Sequence, residues 1–178
     1  NKEVFNSDNY ASAAIDSITY NGKMIGYPLF YDTSCFVTNK MYREETIKTF
    51  DELTLYAETF EPTEEMKEFQ SIFEWNVSDV VSNYAFIGGT VNITGNTGDQ
   101  RQMINIYNDE TIAVLKQFQN LKTYFSIDRT KVEDGYIMKQ FLGNRTACGI
   151  FNTDELHQIT VTGKEYEISA IPGININD

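Results

Sequence analysis

An α/β fold, a mixed sheet flanked by helices, is what this sequence predicts, because short apolar runs of strand length interleave with amphipathic helical segments along the whole chain. Two local signals support it: an Asn-Gly dipeptide between apolar-aromatic runs near the start, and helix-capping residues at Thr49 and Asn108. At 178 residues the chain fits one domain with a core that needs neither metal nor disulfide.

The opening stretch to Ser17 is polar, with no clear period, and is expected to be an irregular connector. Asn21-Gly22 between Ile18-Thr19-Tyr20 and Lys23-Met24-Ile25 predicts a hairpin, and Ser34 to Thr38 a further strand. Thr49-Phe50-Asp51-Glu52 is a capping box, and Leu53, Tyr56, Ala57 and Phe60 share one helical face that must end before Pro62. Residues 64–70 suggest a short helix and Ser71 to Glu74 a buried strand. Asn76 is a candidate cap for a helix with Val80, Val81 and Tyr84 turned inward, closed at Gly88-Gly89 by positive φ.

Thr90 to Gln100, with Gly95, Asn96 and Gly98, predicts an exposed hairpin or flap. Asn108 caps the clearest helix, in which Val114, Phe118, Leu121 and Phe125 repeat on one face. Asp134 begins another, with Ile137 and Phe141 inward and its end at Gly143. Arg145 to Phe151 and Tyr166 to Ile171 are the last two strands. No internal repeat or low-complexity segment interrupts this order.

The hydrophobic fraction of 41% and aromatic fraction of 13% belong to a folded globule. The formal charge of −12, from 26 acidic against 14 basic residues spread along the chain, argues against nucleic acid and anionic membranes as partners. Cys35 and Cys148 with the single His157 cannot assemble a zinc site of the usual ligands, so no metal is expected. Both cysteines are expected to be buried and unpaired, and His157 to be an exposed helix residue. Asn1-Lys2-Glu3-Val4 does not resemble a signal peptide, which places any targeting segment outside this sequence.

No GxSxG, GxxxxGK[ST] or GxGxxG motif is present, and a lone histidine gives little basis for a hydrolase triad. No catalytic residue and no cofactor are expected. Asp32 with Asp79 or Asp154 could still serve as the acid and base of a glycosidase, which stands as a minor alternative. A stand-alone carbohydrate- or protein-interaction module is the other.

The run Tyr20-Asn21-Gly22-Lys23-Met24-Ile25-Gly26-Tyr27-Pro28-Leu29, then Val37-Thr38-Asn39-Lys40, then Thr49-Phe50-Asp51-Glu52-Leu53 resembles the middle of bacterial extracellular solute-binding proteins of the maltose-binding type. Gly88-Gly89, Phe141 to Ala147, and Tyr166-Glu167-Ile168 with Ile171-Pro172 follow in that family's order. One position departs: the family reads Phe-x-x-Gly-[Lys/Glu]-x-Ala, and here Asn144 stands where that glycine is expected, asparagine tolerating left-handed backbone better than most residues.

The resemblance implies one lobe of a periplasmic-binding-protein type II fold. Residues 1–17 would be a hinge-proximal connector and 18–178 a single α/β lobe of the C-terminal type. It implies a binding component of an ABC importer, not an enzyme, extracellular and lipid-anchored or periplasmic. Its partners would be an oligosaccharide or other small solute, the permease, and the missing N-terminal lobe.

Sugars need aromatic faces and planar polar groups, so the ligand contacts expected by resemblance are Trp75 with Asn76, Ser78 and Asp79, Asp32 with Tyr31, and Phe151, Asn152 and Asp154. The family's cleft tryptophan is absent from the segment after Cys148.

Overall fold

The computed structural model describes residues 9–30, 32–95, 100, 102–128, 130 and 135–174. Its centre is a four-stranded mixed sheet built from β3 (Ser34–Asn39), β4 (Ser71–Glu74), β7 (Thr146–Asn152) and β8 (Tyr166–Ser169), in the order β4-β7-β3-β8. β7 runs antiparallel to β3 and parallel to β4, while β3 and β8 are antiparallel. The fold class is therefore the one the sequence predicts.

Strand alternation splits the core across this sheet. Phe36, Phe73, Trp75, Cys148 and Ile150 share one cluster with α2 (Phe50–Thr59), α3 (Val80–Ile87) and α4 (Asp109–Tyr124). Cys35, Val37 and Phe151 belong to a second cluster with α5 (Tyr136–Leu142) and α6 (His157–Thr160).

Local chemistry accounts for most element ends. Asn21 and Gly22, with φ of 49° and 69°, form the turn between β1 (Thr19–Tyr20) and β2 (Lys23–Met24), as left-handed geometry at both turn residues requires. Thr49 Oγ1 accepts the Glu52 N–H at 3.2 Å to start α2, while the Glu52 carboxylate accepts the Lys48 N–H at 2.7 Å. Asn108 Oδ1 accepts the Thr111 N–H at 2.8 Å to start α4. Asn144 takes φ 55°, the left-handed conformation anticipated for it, and Oδ1 accepts from Asn39 at 3.2 Å and from Lys164 at 2.7 Å. Asn144→Ala is accordingly expected to destabilise by about 2 kcal/mol and Asn144→Gly by about 1 kcal/mol, because glycine keeps the backbone and loses only side-chain bonds. Urea melts of the two variants measure the difference.

Four expectations are corrected. Residues 12–17 are not irregular: α1 (Ser12–Ser17) forms there and buries Ala14. Residues 64–70 make turns, not a helix. α3 starts later than Asn76 suggests, with Asp79 as its cap, so Ser82 and Phe86 turn inward while Val80, Val81 and Tyr84 are exposed. Gly88 closes α3 at φ −57°, not with positive φ. It is needed because a Cβ there would stand 2.7 Å from the Tyr84 ring and 2.9 Å from the Tyr84 carbonyl oxygen.

The flap is a hairpin of β5 (Asn92–Ile93) and β6 (Ile104–Asn105), whose expected Asn96 and Gly98 lie outside the described residues. Asp134 also lies outside them, and α5 follows Gly135.

Candidate functional site

β4 and β7 are parallel neighbours, so their carboxyl ends open on the same edge of the sheet, the side where α/β sheets hold ligands. β3, being antiparallel, brings its amino end there as well, with Ser34 opposite Asn152. A cavity of about 310 Å³ lies at this edge. It is lined by Asn76, Asp79 and Ser82 from the β4–α3 side, by Ile150 to Asn152, Asp154 and Glu155 from β7 and the turn after it, and by 135–138 at the start of α5.

Five of the expected contacts therefore meet in one cavity: Asn76, Asp79, Phe151, Asn152 and Asp154. Phe151 is buried and packs edge-on against Phe141, so the ring at the cavity that retains exposure is Tyr136. Ser78 is exposed outside the lining, its N–H donating to Asn76 Oδ1 at 2.9 Å. Asp32 stands outside the lining too, with Oδ1 accepting the Thr153 N–H at 3.0 Å and the Thr153 hydroxyl. Tyr31 falls outside the described residues.

Trp75 is a correction. Its side chain is fully buried, stacked 5.1 Å from Phe73 and packed against Phe86 and Phe118, so it offers no face to a sugar. Its Nε1–H donates to Asn83 Oδ1 at 3.3 Å, and Asn83 Nδ2 donates to the Val77 carbonyl at 2.8 Å. Trp75 thus braces the loop carrying Asn76 and Asp79 from behind.

Ser82, Tyr136, Met138 and Glu155 are lining residues that sequence reasoning did not single out. Ser82 was legible as the residue three beyond a capping aspartate. Glu155 was legible only as the acid closing the Asn152-Thr153-Asp154 turn, where its Oε2 accepts the Asn152 N–H at 3.0 Å.

No protein-family model matches this sequence, and no curated protein does. Solved structures do. A cyclo/maltodextrin-binding protein in complex with maltotetraose matches at TM-score 0.75 and 16% identity, covering 100% of this chain and 46% of that one. The maltose-binding periplasmic protein of Listeria monocytogenes in complex with maltose matches at TM-score 0.71 and 19% identity, covering 95% and 45%. The maltose-maltodextrin binding protein of Alicyclobacillus acidocaldarius matches at TM-score 0.73 and 16% identity, covering 97% and 45%.

The chain has the fold of these solute-binding proteins. It spans less than half the length of each.

Within this solute-binding-protein fold the cavity carries Asp79, Asp154 and Glu155, with no basic residue among the described lining. Burial would raise the Asp79 carboxyl, but hydrogen bonds from the Ser82 hydroxyl and N–H, the Asn152 side chain and the Val81 N–H outweigh it and hold Asp79 below the usual carboxylate range. Burial pushes Glu155 the other way. The Asn152 N–H opposes that rise, while the nearby charges of Asp154, Asp79 and Asp32 add to it. Among the described residues no cluster of His, Cys, Asp and Glu is arranged to hold a metal ion.

The two shifts give opposite pH dependences. Asp79, depressed, stabilises the fold above its unfolded value, a contribution lost as pH falls through its folded value. Glu155, raised, favours the fold below its unfolded value and loses that advantage as pH rises through its folded value. Glu155→Gln is therefore expected to raise the melting temperature near neutral pH and to change it little below about pH 4. Melts of the variant across that range measure it, and an equal gain at both ends would contradict the raised carboxyl.

Proposed function

We propose that this chain is the C-terminal-type lobe of an extracellular solute-binding protein that delivers an oligosaccharide to an ABC importer, and that it binds without making or breaking bonds. The observation that carries the reading is a polar cavity at the carboxyl ends of β4 and β7 in a chain with the fold of maltodextrin-binding proteins. Asn76, Asn152 and Asp154 would bracket hydroxyls, and Tyr136 would lie along an apolar sugar face. Asp79 is already occupied as the cap of α3, accepting the Ser82 N–H at 2.7 Å, which takes it away from the acid or nucleophile role a glycosidase would give it.

A half-site explains the exposed apolar run before β3. Ile25, Tyr27, Leu29 and Phe30 are 71%, 68%, 81% and 95% exposed, surface that the missing N-terminal lobe would cover. In this reading the solute bridges both lobes and shifts the population toward a closed form that the permease recognises. A lipid anchor or a free periplasmic form would both suit that role.

Titration calorimetry tests it. The chain alone should bind maltotetraose far more weakly than the chain joined to the rest of its reading frame, and an affinity for the lobe alone tighter than about 1 μM would sink the half-site. The uncompensated carboxylates also predict exclusion of anionic sugars: an oligogalacturonate should bind at least about tenfold more weakly than a neutral oligosaccharide of equal length.

A further inference from the structure

We propose that Asp32 is a positioning residue, a clasp that holds the turn after β7 against the segment entering β3, and not itself a contact for solute. This rests on the reading of the cavity as the solute site. The sequence resemblance implies direct contact for Asp32, but the geometry commits its Oδ1 to the protein. Asp32 Oδ1 accepts both the N–H and the hydroxyl of Thr153. The same Thr153 N–H also donates to the Thr33 carbonyl at 2.9 Å, and Thr153 Oγ1 accepts the Thr33 N–H at 3.2 Å.

The clasp continues along both segments. Ser34 Oγ donates to Asn152 Oδ1 at 3.0 Å, and the Asn152 N–H is held by Glu155 Oε2. Thr153 therefore sits between two lining residues, Asn152 and Asp154, and is gripped from the β3 side by a charge-assisted bond. A turn of four residues held only by its own backbone could swing the Asp154 and Glu155 carboxylates by more than a hydrogen bond tolerates. Fixing Thr153 fixes the residues on either side of it, which is how a residue outside the lining sets the shape of the site.

The position makes a distinctive prediction. Asparagine at 32 keeps a carbonyl acceptor for Thr153 and loses the charge, alanine loses both, and Thr153→Val removes the hydroxyl at nearly constant shape. Three measurements on this chain separate a clasp from a contact. In amide exchange, the Thr153 N–H should lose about tenfold protection in Asp32→Ala and keep most of it in Asp32→Asn. In a thermal double-mutant cycle, Asp32→Ala and Thr153→Val together should cost clearly less than the sum of the two single changes, because both remove the bond from the Thr153 hydroxyl to Asp32. Exchange equal to the parent in Asp32→Ala, or additive losses in the cycle, overturns the clasp.

The third measurement titrates maltotetraose while following the amide shifts of Asn76, Ser82, Asn152 and Asp154. Thr153→Val should weaken the response as much as Asp32→Ala, with Asp32→Asn within about threefold of the parent. Loss in Asp32→Asn with Thr153→Val spared would make Asp32 a direct contact and overturn the proposal. If maltotetraose moves none of these amides even in the chain joined to the rest of its reading frame, the reading of the cavity as an oligosaccharide site is what fails, and the clasp is decided by exchange and the cycle alone.

Discussion

Trp75→Ala is expected to cost about 3–5 kcal/mol of folding stability, a fall in melting temperature on the order of 10 °C for a chain of this size. The ring is fully buried at the meeting of β4, α3 and α4, in contact with Phe73, Phe86 and Phe118. Its removal leaves a cavity that three aromatic neighbours cannot close without leaving their own contacts. Trp75→Phe should cost about 1–2 kcal/mol, keeping most of the packing and losing the Nε1–H bond to Asn83. Trp75 is the only tryptophan, so its emission reports on this site alone. The spectrum should be that of a buried indole and should not change on addition of maltotetraose. A shift of that emission on addition of maltotetraose would show instead that the ring meets solute, and would reverse the assignment.

What the sequence made legible was whatever depends on one residue and its near neighbours. The Asn21-Gly22 turn, the Thr49 and Asn108 caps and the left-handed Asn144 each follow from local geometry, and each is found where expected. α3 shows where such reasoning runs out. Asn76 and Asp79 are both good caps, three residues apart, and an eight-residue helix with Val80, Val81, Tyr84, Phe86 and Ile87 is apolar on more than one side. The sheet resolves the choice: Phe86 reaches Phe50 and Trp75, and Asp79 caps the helix, leaving Val80 and Tyr84 on the surface.

The site divides the same way. Asn152 ends β7, and Asn76, Asp79 and Asp154 lie just beyond strand ends, so a sequence that shows the strands shows those positions. Whether a ring beside them faces out is a tertiary matter, and here Trp75 and Phe151 both turn into the core. Tyr136, the half-buried ring at the cavity, arrives from α5, sixty-odd residues beyond β4, and no spacing links it to Asn76.

Alkylation of Cys148 is expected to be slower in the native chain than in urea by a factor on the order of a thousand or more. Burial pushes its thiol up to about 12, opposed in part by the Thr38 hydroxyl and by Arg43, so the reactive thiolate is nearly absent near neutral pH. The side chain has no exposure, and modification must wait for the sheet to open. Cys35 is raised to about 11, by burial first and then by the charges of Asp32 and Glu155 at the edge of the cavity.

Cys35 packs on the other face of the sheet, against α5 and α6, with Sγ donating to the Phe151 carbonyl at 3.3 Å. Cys148 pairs with Thr38 in register, three residues along β3 from Cys35 and so roughly 10 Å away on the opposite side, which rules out a disulfide between them in this fold. α5 and α6 are shorter than the helices over the first cluster, so partial opening there should expose Cys35 first. Intact mass after timed iodoacetamide treatment should show a single adduct before a double one, with the first on Cys35 by peptide mapping. Equal native rates at the two thiols, or a disulfide-linked species formed without unfolding, would contradict the placement of the two cysteines on opposite faces of one intact sheet.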